Sequence, residues 1–239
     1  MNTICMIGTG WLGLPIGKEL AERGFRVVGT TTREVRIPEL REHGILPYMY
    51  RLGGPHPPAA SIYVVTVPPG KTGGYVAALR TTVEGMTPKA NILFISTTSV
   101  YTGRPDIFPE SQVVPGKPAP EDAHRTSKHS SISISELIEA EGAVWDEKRR
   151  RHTIVRCGGL VGPGREPGRF LAGRKNVPDP DAPANISPLQ DVVDLVISII
   201  LEGQWGKVVN AVDRNRPTRR EYYTQAALDL GLEPPEFEG

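Results

Sequence analysis

The chain of 239 residues is long enough for one large domain, or for a domain with a small appendage, and it can bury a sizeable core. Its 28 basic and 27 acidic residues nearly cancel, leaving a formal charge of +1 and no long run of either sign, which argues against nucleic acid or an anionic membrane as main partner. The longest apolar stretch, Val192–Leu201, contains Asp194 and Ser198 and is too short for a membrane span; no basic region precedes the short apolar run Ile4–Ile7, so no signal peptide is expected and the cytoplasm is the default compartment.

Along the first half, short β-branched runs alternate with helical patterns. Thr3–Ile7 reads as a buried strand. Leu12–Arg23 reads as a helix with Leu12, Ile16 and Leu20 on one face, stopped by Gly24. A strand over Phe25–Thr30, a helix over Pro38–His43 capped by Gly44, and a strand over Ile62–Val67 ending at Pro68-Pro69 follow. Tyr75–Glu84 is predicted helical and Asn91–Ser96 extended. Cys5 and Cys157 each lie in an apolar strand-like run and read as buried thiols rather than a disulfide. The histidines show no ligand spacing with cysteines or carboxylates, so no metal site is expected.

Residues 103–124 are rich in Pro, Gly and charge and read as a surface loop, followed by a helix at about 130–142 and a strand over Arg151–Arg156. Gly158–Pro183 reads as a second long loop, a type of segment that often binds ligands. A helix over Asp191–Glu202, a strand over Val208–Val212 and a helix over Thr218–Leu230 complete the chain. Strands this apolar, alternating with helices, predict an α/β fold: a Rossmann-type doubly wound parallel sheet with a small C-terminal lobe. The expected boundaries are 1–157 for the dinucleotide-binding domain and 158–239 for the lobe, with the strand near 208–212 able to return to the sheet.

Gly8-Thr9-Gly10-Trp11-Leu12-Gly13 follows the first strand directly and opens the first helix, the context that gives a G-x-G-x-x-G sequence its meaning. Gly8 permits the tight turn, Gly10 lets a pyrophosphate approach the backbone, and Gly13 lets helix and strand pack closely. The helix N-terminus then holds the phosphates. The second strand ends Gly29-Thr30-Thr31-Thr32-Arg33, without the carboxylate that binds the adenosine ribose of NAD. Thr31, Thr32 and Arg33 would instead take a 2′-phosphate through charge-assisted hydrogen bonds, so NADP(H) is favoured and NAD(H) stays open. The alternative is that Arg33 is a solvated loop charge. Val67 and Pro68, at the end of the third predicted strand, complete the expected cofactor-binding set.

Four segments in order carry a family resemblance: Gly8–Gly13, Gly29–Arg33, Ser96-Thr97-Thr98-Ser99-Val100-Tyr101, and Gly162-Pro163-Gly164-Arg165. With them the chain resembles the NAD(P)-dependent epimerase/dehydratase family, the extended branch of the short-chain dehydrogenase/reductases. Val209–Asp213 and Pro217–Tyr223 look like the C-terminal part of an atypical subgroup. The resemblance implies that Thr97, with Thr98 and Ser99 beside it, is the hydroxyl that orients the reacting carbonyl, and that Tyr101 shapes the pocket; Tyr101 is also the second catalytic candidate, as a substitute acid. It also implies that the small C-terminal lobe is the substrate-binding lobe, with a substrate loop bearing Glu110, a loop with Arg165 and Arg169 bordering the substrate, and a closing segment Asn185-Ile186-Ser187 before Asp191. Family members often pair as homodimers, which leaves that assembly open here.

The chain departs from the family in one respect. No tyrosine lies between Tyr101 and Tyr222, so the Tyr-x-x-x-Lys proton-transfer pair is absent. Tyr101, His124, Lys128, His129 or a water could replace it, or there is no catalysis. The expectation is an NADP(H)-dependent oxidoreductase or epimerase-like enzyme on a small polar carbonyl or sugar-derived substrate. The alternative is a catalytically silent NAD(P)-binding sensor or regulatory protein.

Overall fold

The computed structural model describes residues 2–70, 73–101, 115, 132–145, 151–215 and 217–239. Two compact units are present. The first comprises 1–156 and 193–210, and the second 157–192 and 211–239.

The first unit is built on a sheet that starts with β1 (Thr3–Ile7) and continues through β2 (Arg26–Thr31), β3 (Leu46–Met49), β4 (Ile62–Val65), β5 (Asn91–Thr97) and β6 (His152–Cys157) to β9 (Val208–Ala211). The order is β3-β2-β1-β4-β5-β6-β9. Pairs β1–β2, β2–β3, β1–β4 and β4–β5 run parallel. The first six strands thus follow the doubly wound dinucleotide-binding order, in which the chain reverses direction between β1 and β4 and leaves a crevice at their carboxyl ends. β1 and β4 are apolar and covered on both faces: Ile4, Cys5 and Met6 are fully buried, as are Tyr63, Val64 and Val65.

Helix α1 (Gly13–Glu22) buries Gly13, Ile16, Gly17 and Leu20, a one-face spacing for an amphipathic helix laid on a sheet. It ends at Gly24, and α2 (Ile37–Glu42) ends at Gly44; both glycines have positive φ, as the sequence predicts for caps. Gly17 lets Ile45 approach, since a Cβ there would sit 2.9 Å from Ile45 Cδ1. α3 (Tyr75–Glu84) follows β4, and α4 (Ile134–Val144) starts at a capping box between Ser133 and Glu136.

β3 is a strand that the sequence pattern does not announce: its sequence Leu-Pro-Tyr-Met lies at the sheet edge, where Pro47 is tolerated and the side chains stay largely exposed. One expectation is corrected. The segment 158–183 is not one irregular loop, because it contains β7 (Gly159–Val161), which pairs with β8 (Ile186–Pro188), and the single-turn helix α5 (Gly168–Leu171). In the second unit α7 (Arg219–Leu228) starts at another capping box, Thr218 with Glu221, and Tyr222 and Tyr223 pack on Val161, Ala184 and Ile186. Helix α6 (Leu189–Glu202) begins in the second unit and continues into the first. Among the described residues no helix is long and apolar enough to cross a membrane.

Candidate dinucleotide site

At the carboxyl ends of β1, β2 and β4 the first unit opens a cleft of about 460 Å³. One side is Gly8, Thr9 and Gly10, and another is Thr31, Thr32 and Arg33. Arg36, Arg51, Val67, Pro68 and Tyr75 also line it.

Every polar backbone atom of Gly8 and Thr9 is anchored. The Gly8 N–H donates to Thr30 Oγ1 at 2.8 Å, and Thr66 Oγ1 donates to the Gly8 carbonyl at 2.5 Å. Both the N–H and the hydroxyl of Thr9 donate to the Thr30 carbonyl, at 3.1 and 2.9 Å. Arg36 Nη2 donates to the Thr9 carbonyl at 3.0 Å, and its Nε pairs with Glu39 at 2.5 Å. The loop is therefore set by Thr30 of β2, Thr66 just past β4 and Arg36 beyond the tip of β2.

The three motif glycines have distinct environments. Gly8 has φ +95°, in the region that favours glycine. A Cβ on Gly13 would lie 2.0 Å from the Gly8 carbonyl oxygen. A Cβ on the exposed Gly10 would meet nothing within 4 Å. The space beside Gly10 is thus open cleft, which suits the close approach of a pyrophosphate. Tyr75 lies at the other wall, where burial pushes its phenol up from the ordinary value. It stays protonated and donates to the Val67 carbonyl at 2.7 Å, fixing the backbone at the end of β4.

Of the cofactor residues expected from sequence, Gly8, Gly10, Thr31, Thr32, Arg33, Val67 and Pro68 line the cleft. Leu12 is buried in the core and Trp11 is half-buried; neither lines it, nor does Gly13, whose part is to close the turn. Arg36 and Arg51 line the cleft and were not singled out from sequence. The only signal available for Arg36 was its position just past the strand tip, and Arg51 needed the unrecognised strand β3.

Thr97 ends β5. Its Oγ1 accepts the Ser99 N–H at 3.1 Å and donates to Ser99 Oγ at 3.1 Å, holding the short 3₁₀ turn Thr98–Tyr101. Tyr101 is buried, and its hydroxyl accepts from Arg156 Nη1 at 2.8 Å and donates to Asn210 Oδ1 at 2.9 Å. Behind it, Arg156 donates through Nε and Nη2 to the two oxygens of Glu141, at 2.9 and 2.6 Å; both residues are 0% exposed. Burial alone would pull the Arg156 guanidinium down, but the Glu141 hydrogen bonds and charge, with Tyr101, hold it above its ordinary value. Ser96 Oγ donates to Glu141 Oε1 at 2.6 Å.

The remaining candidates are dispersed. Glu110, His124, Lys128 and His129 lie outside the described residues. Arg165 and Arg169 are exposed in the second unit, Arg169 facing Glu166 at 3.5 Å. Asn185 is half-buried and Asp191 is exposed in the first turn of α6. Among the described residues no group of three or more His, Cys, Asp or Glu side chains could hold a metal ion.

Strand order, glycine turn and cleft define a Rossmann-fold protein with the architecture of the NAD(P)-dependent epimerase/dehydratases. Solved structures agree on that fold over the whole chain. A human epimerase family protein solved with NADPH has a TM-score of 0.65 at 14% identity, covering 99% of this chain and 82% of that one. MoeE5, solved with UDP-glucose and NAD, has a TM-score of 0.67 at 15% identity, covering 100% and 85%. No family model matches the sequence. Protein YeeZ of Escherichia coli (strain K12) is 30% identical over 255 aligned positions, spanning 99% of this chain and 87% of that protein. The chain belongs to the YeeZ family.

Proposed function

We propose that the cleft binds NADP(H), and that the protein is an NADP(H)-dependent oxidoreductase or epimerase-like enzyme acting on a small polar carbonyl or sugar-derived substrate. The observation that carries the reading is the anchored Gly8–Gly10 turn facing Thr31, Thr32 and Arg33 across one cleft. The open space at Gly10 and the absence of a carboxylate among the described residues lining the cleft fit a dinucleotide with an extra phosphate. Gly8–Gly13 and the first turn of α1 would hold the pyrophosphate. Thr31, Thr32 and Arg33 would hold the 2′-phosphate, with Arg51 adding a second guanidinium. The bound nicotinamide would supply or accept a hydride. That one structural neighbour was solved with NADPH and another with NAD supports a nicotinamide dinucleotide. The nearly balanced charge fits a small-molecule substrate better than nucleic acid or an anionic membrane; the cytoplasm is the compartment proposed.

A second reading, a catalytically silent NAD(P)-binding sensor or regulatory protein, is favoured by the engagement of the Tyr101 hydroxyl inside the protein and by the missing Tyr-Lys pair. Calorimetric titration with NADPH and NADH tests both readings at their common root. Saturable NADPH binding is expected. If neither dinucleotide binds, both readings fail. Oxidation of bound NADPH by a panel of sugars, aldehydes and ketones would then favour the enzyme.

A further inference from the structure

We infer that Glu141 and Arg156 form a buried clamp that positions the Thr97–Val100 hydroxyl segment for the reacting end of the dinucleotide. Thr97 ends β5, the parallel neighbour of β4, and Val67 and Pro68 just past β4 line the cleft, so the segment lies at the cleft's side of the sheet edge. The purpose of the clamp rests on the function proposed above; its existence does not.

Both charges are fully buried, at a desolvation cost that an apolar pair of similar volume would avoid. Stability is therefore a poor explanation for them, and the contacts suggest another. Ser96 is tied to the pair through Glu141 Oε1, and Tyr101 through Arg156 Nη1. These residues flank Thr97, Thr98, Ser99 and Val100, so one ion pair holds the segment at both ends.

The polarity of the network makes the hold directional. A guanidinium can only donate, so the Tyr101 oxygen that accepts from it must turn its own proton elsewhere, and Asn210 Oδ1 receives it. An ionised carboxylate can only accept, so Ser96 must donate. Arg156 also lies over the Tyr101 ring, 5.1 Å from its centroid. The clamp spans β5, the 3₁₀ turn, α4, β6 and β9 of the first unit. Tyr101 is thereby a positioning residue, and Thr97, Thr98 and Ser99 are the hydroxyls it places.

The test uses the full chain and its double variant Glu141→Leu/Arg156→Met, which removes both charges and leaves neither unpaired. Three quantities are read: affinity for 2′,5′-ADP, which probes the adenosine half alone; affinity for NADPH; and backbone hydrogen exchange over residues 97–101. The expected result is an unchanged 2′,5′-ADP affinity, a fall of about tenfold in NADPH affinity relative to it, and faster exchange over 97–101. Unchanged exchange together with an unchanged NADPH to 2′,5′-ADP ratio would overturn the clamp. If the double variant does not fold, Tyr101→Phe, which removes the hydroxyl's links to Arg156 and Asn210, is read in the same way. If the unmodified protein binds neither ligand, the cofactor reading has failed separately, and exchange over 97–101 alone decides the clamp.

Discussion

Gly13 packs so closely on Gly8 that a methyl group on its Cα would lie 2.0 Å from the Gly8 carbonyl oxygen. Gly10, three residues earlier, has nothing within 4 Å of the same position. The two glycines should therefore fail differently. Gly13→Ala forces backbone apart and should cost at least about 1–3 kcal/mol of stability. Gly10→Val should melt like the parent and lose NADPH binding, because its side chain would fill the space a pyrophosphate needs. Thermal unfolding and calorimetry on both variants check this. A Gly10→Val protein that binds normally would reduce the motif to a turn.

Arg33 is exposed at the cleft and, among the described residues, has no ion-pair partner. Arg33→Ala should leave stability unchanged and remove most of the preference for NADPH over NADH. One charge-assisted contact is worth about 1.5–3 kcal/mol, or roughly tenfold or more in affinity. Equal affinities for the two cofactors in the unmodified protein would refute the assignment.

Breaking the buried ion pair on one side only is a different perturbation from removing it. Glu141→Gln removes the buried carboxylate charge that takes two hydrogen bonds from the Arg156 guanidinium. A loss of about 3–5 kcal/mol is expected, more than the double apolar replacement should cost. Denaturant unfolding of the single and double variants measures the difference. A Glu141→Gln variant as stable as the parent would refute this penalty.

Cys5 and Cys157 are buried, and burial pushes both thiols up to about 12. The ordinary thiol value is about 8.5. The folded protein holds its protons where the unfolded chain would release them, so this contribution is fully present below the ordinary value and is lost as pH rises towards the folded one. Neither thiol should react with a disulfide reagent near neutral pH in the native state, and both should react in denaturant. Rapid labelling of the native protein would show that these strands open.

The sheet could be read from sequence where its strands are continuous apolar runs, as in β1 and β4, because strands covered on both faces carry that signature. β3 could not, since half-exposed Leu46, Tyr48 and Met49 around Pro47 look like a loop. The glycine turn and the strand tip at Thr31–Arg33 were legible because their chemistry depends on local spacing. The clamp was not, because Glu141 and Arg156 are 15 residues apart and meet only in the fold. One clue lay unread: Ile134, Leu137, Ile138 and Glu141 share a helix face, so a glutamate occupies the core stripe of α4. In the same way, Arg156 sits between Val155 and Cys157 in a strand buried on both sides.

The threonine anchors on Gly8 and Thr9 have a consequence for binding kinetics. Thr30 and Thr66 reach the turn from the flanking strand and from the residue just beyond β4, so its backbone is already ordered by the folding of the sheet. A ligand arriving there meets a rigid cradle. It bears none of the conformational entropy of closing a loop around itself. Association should therefore follow one fast, concentration-proportional phase, with no slow isomerisation behind it, and selectivity among dinucleotides should appear in how fast each one leaves.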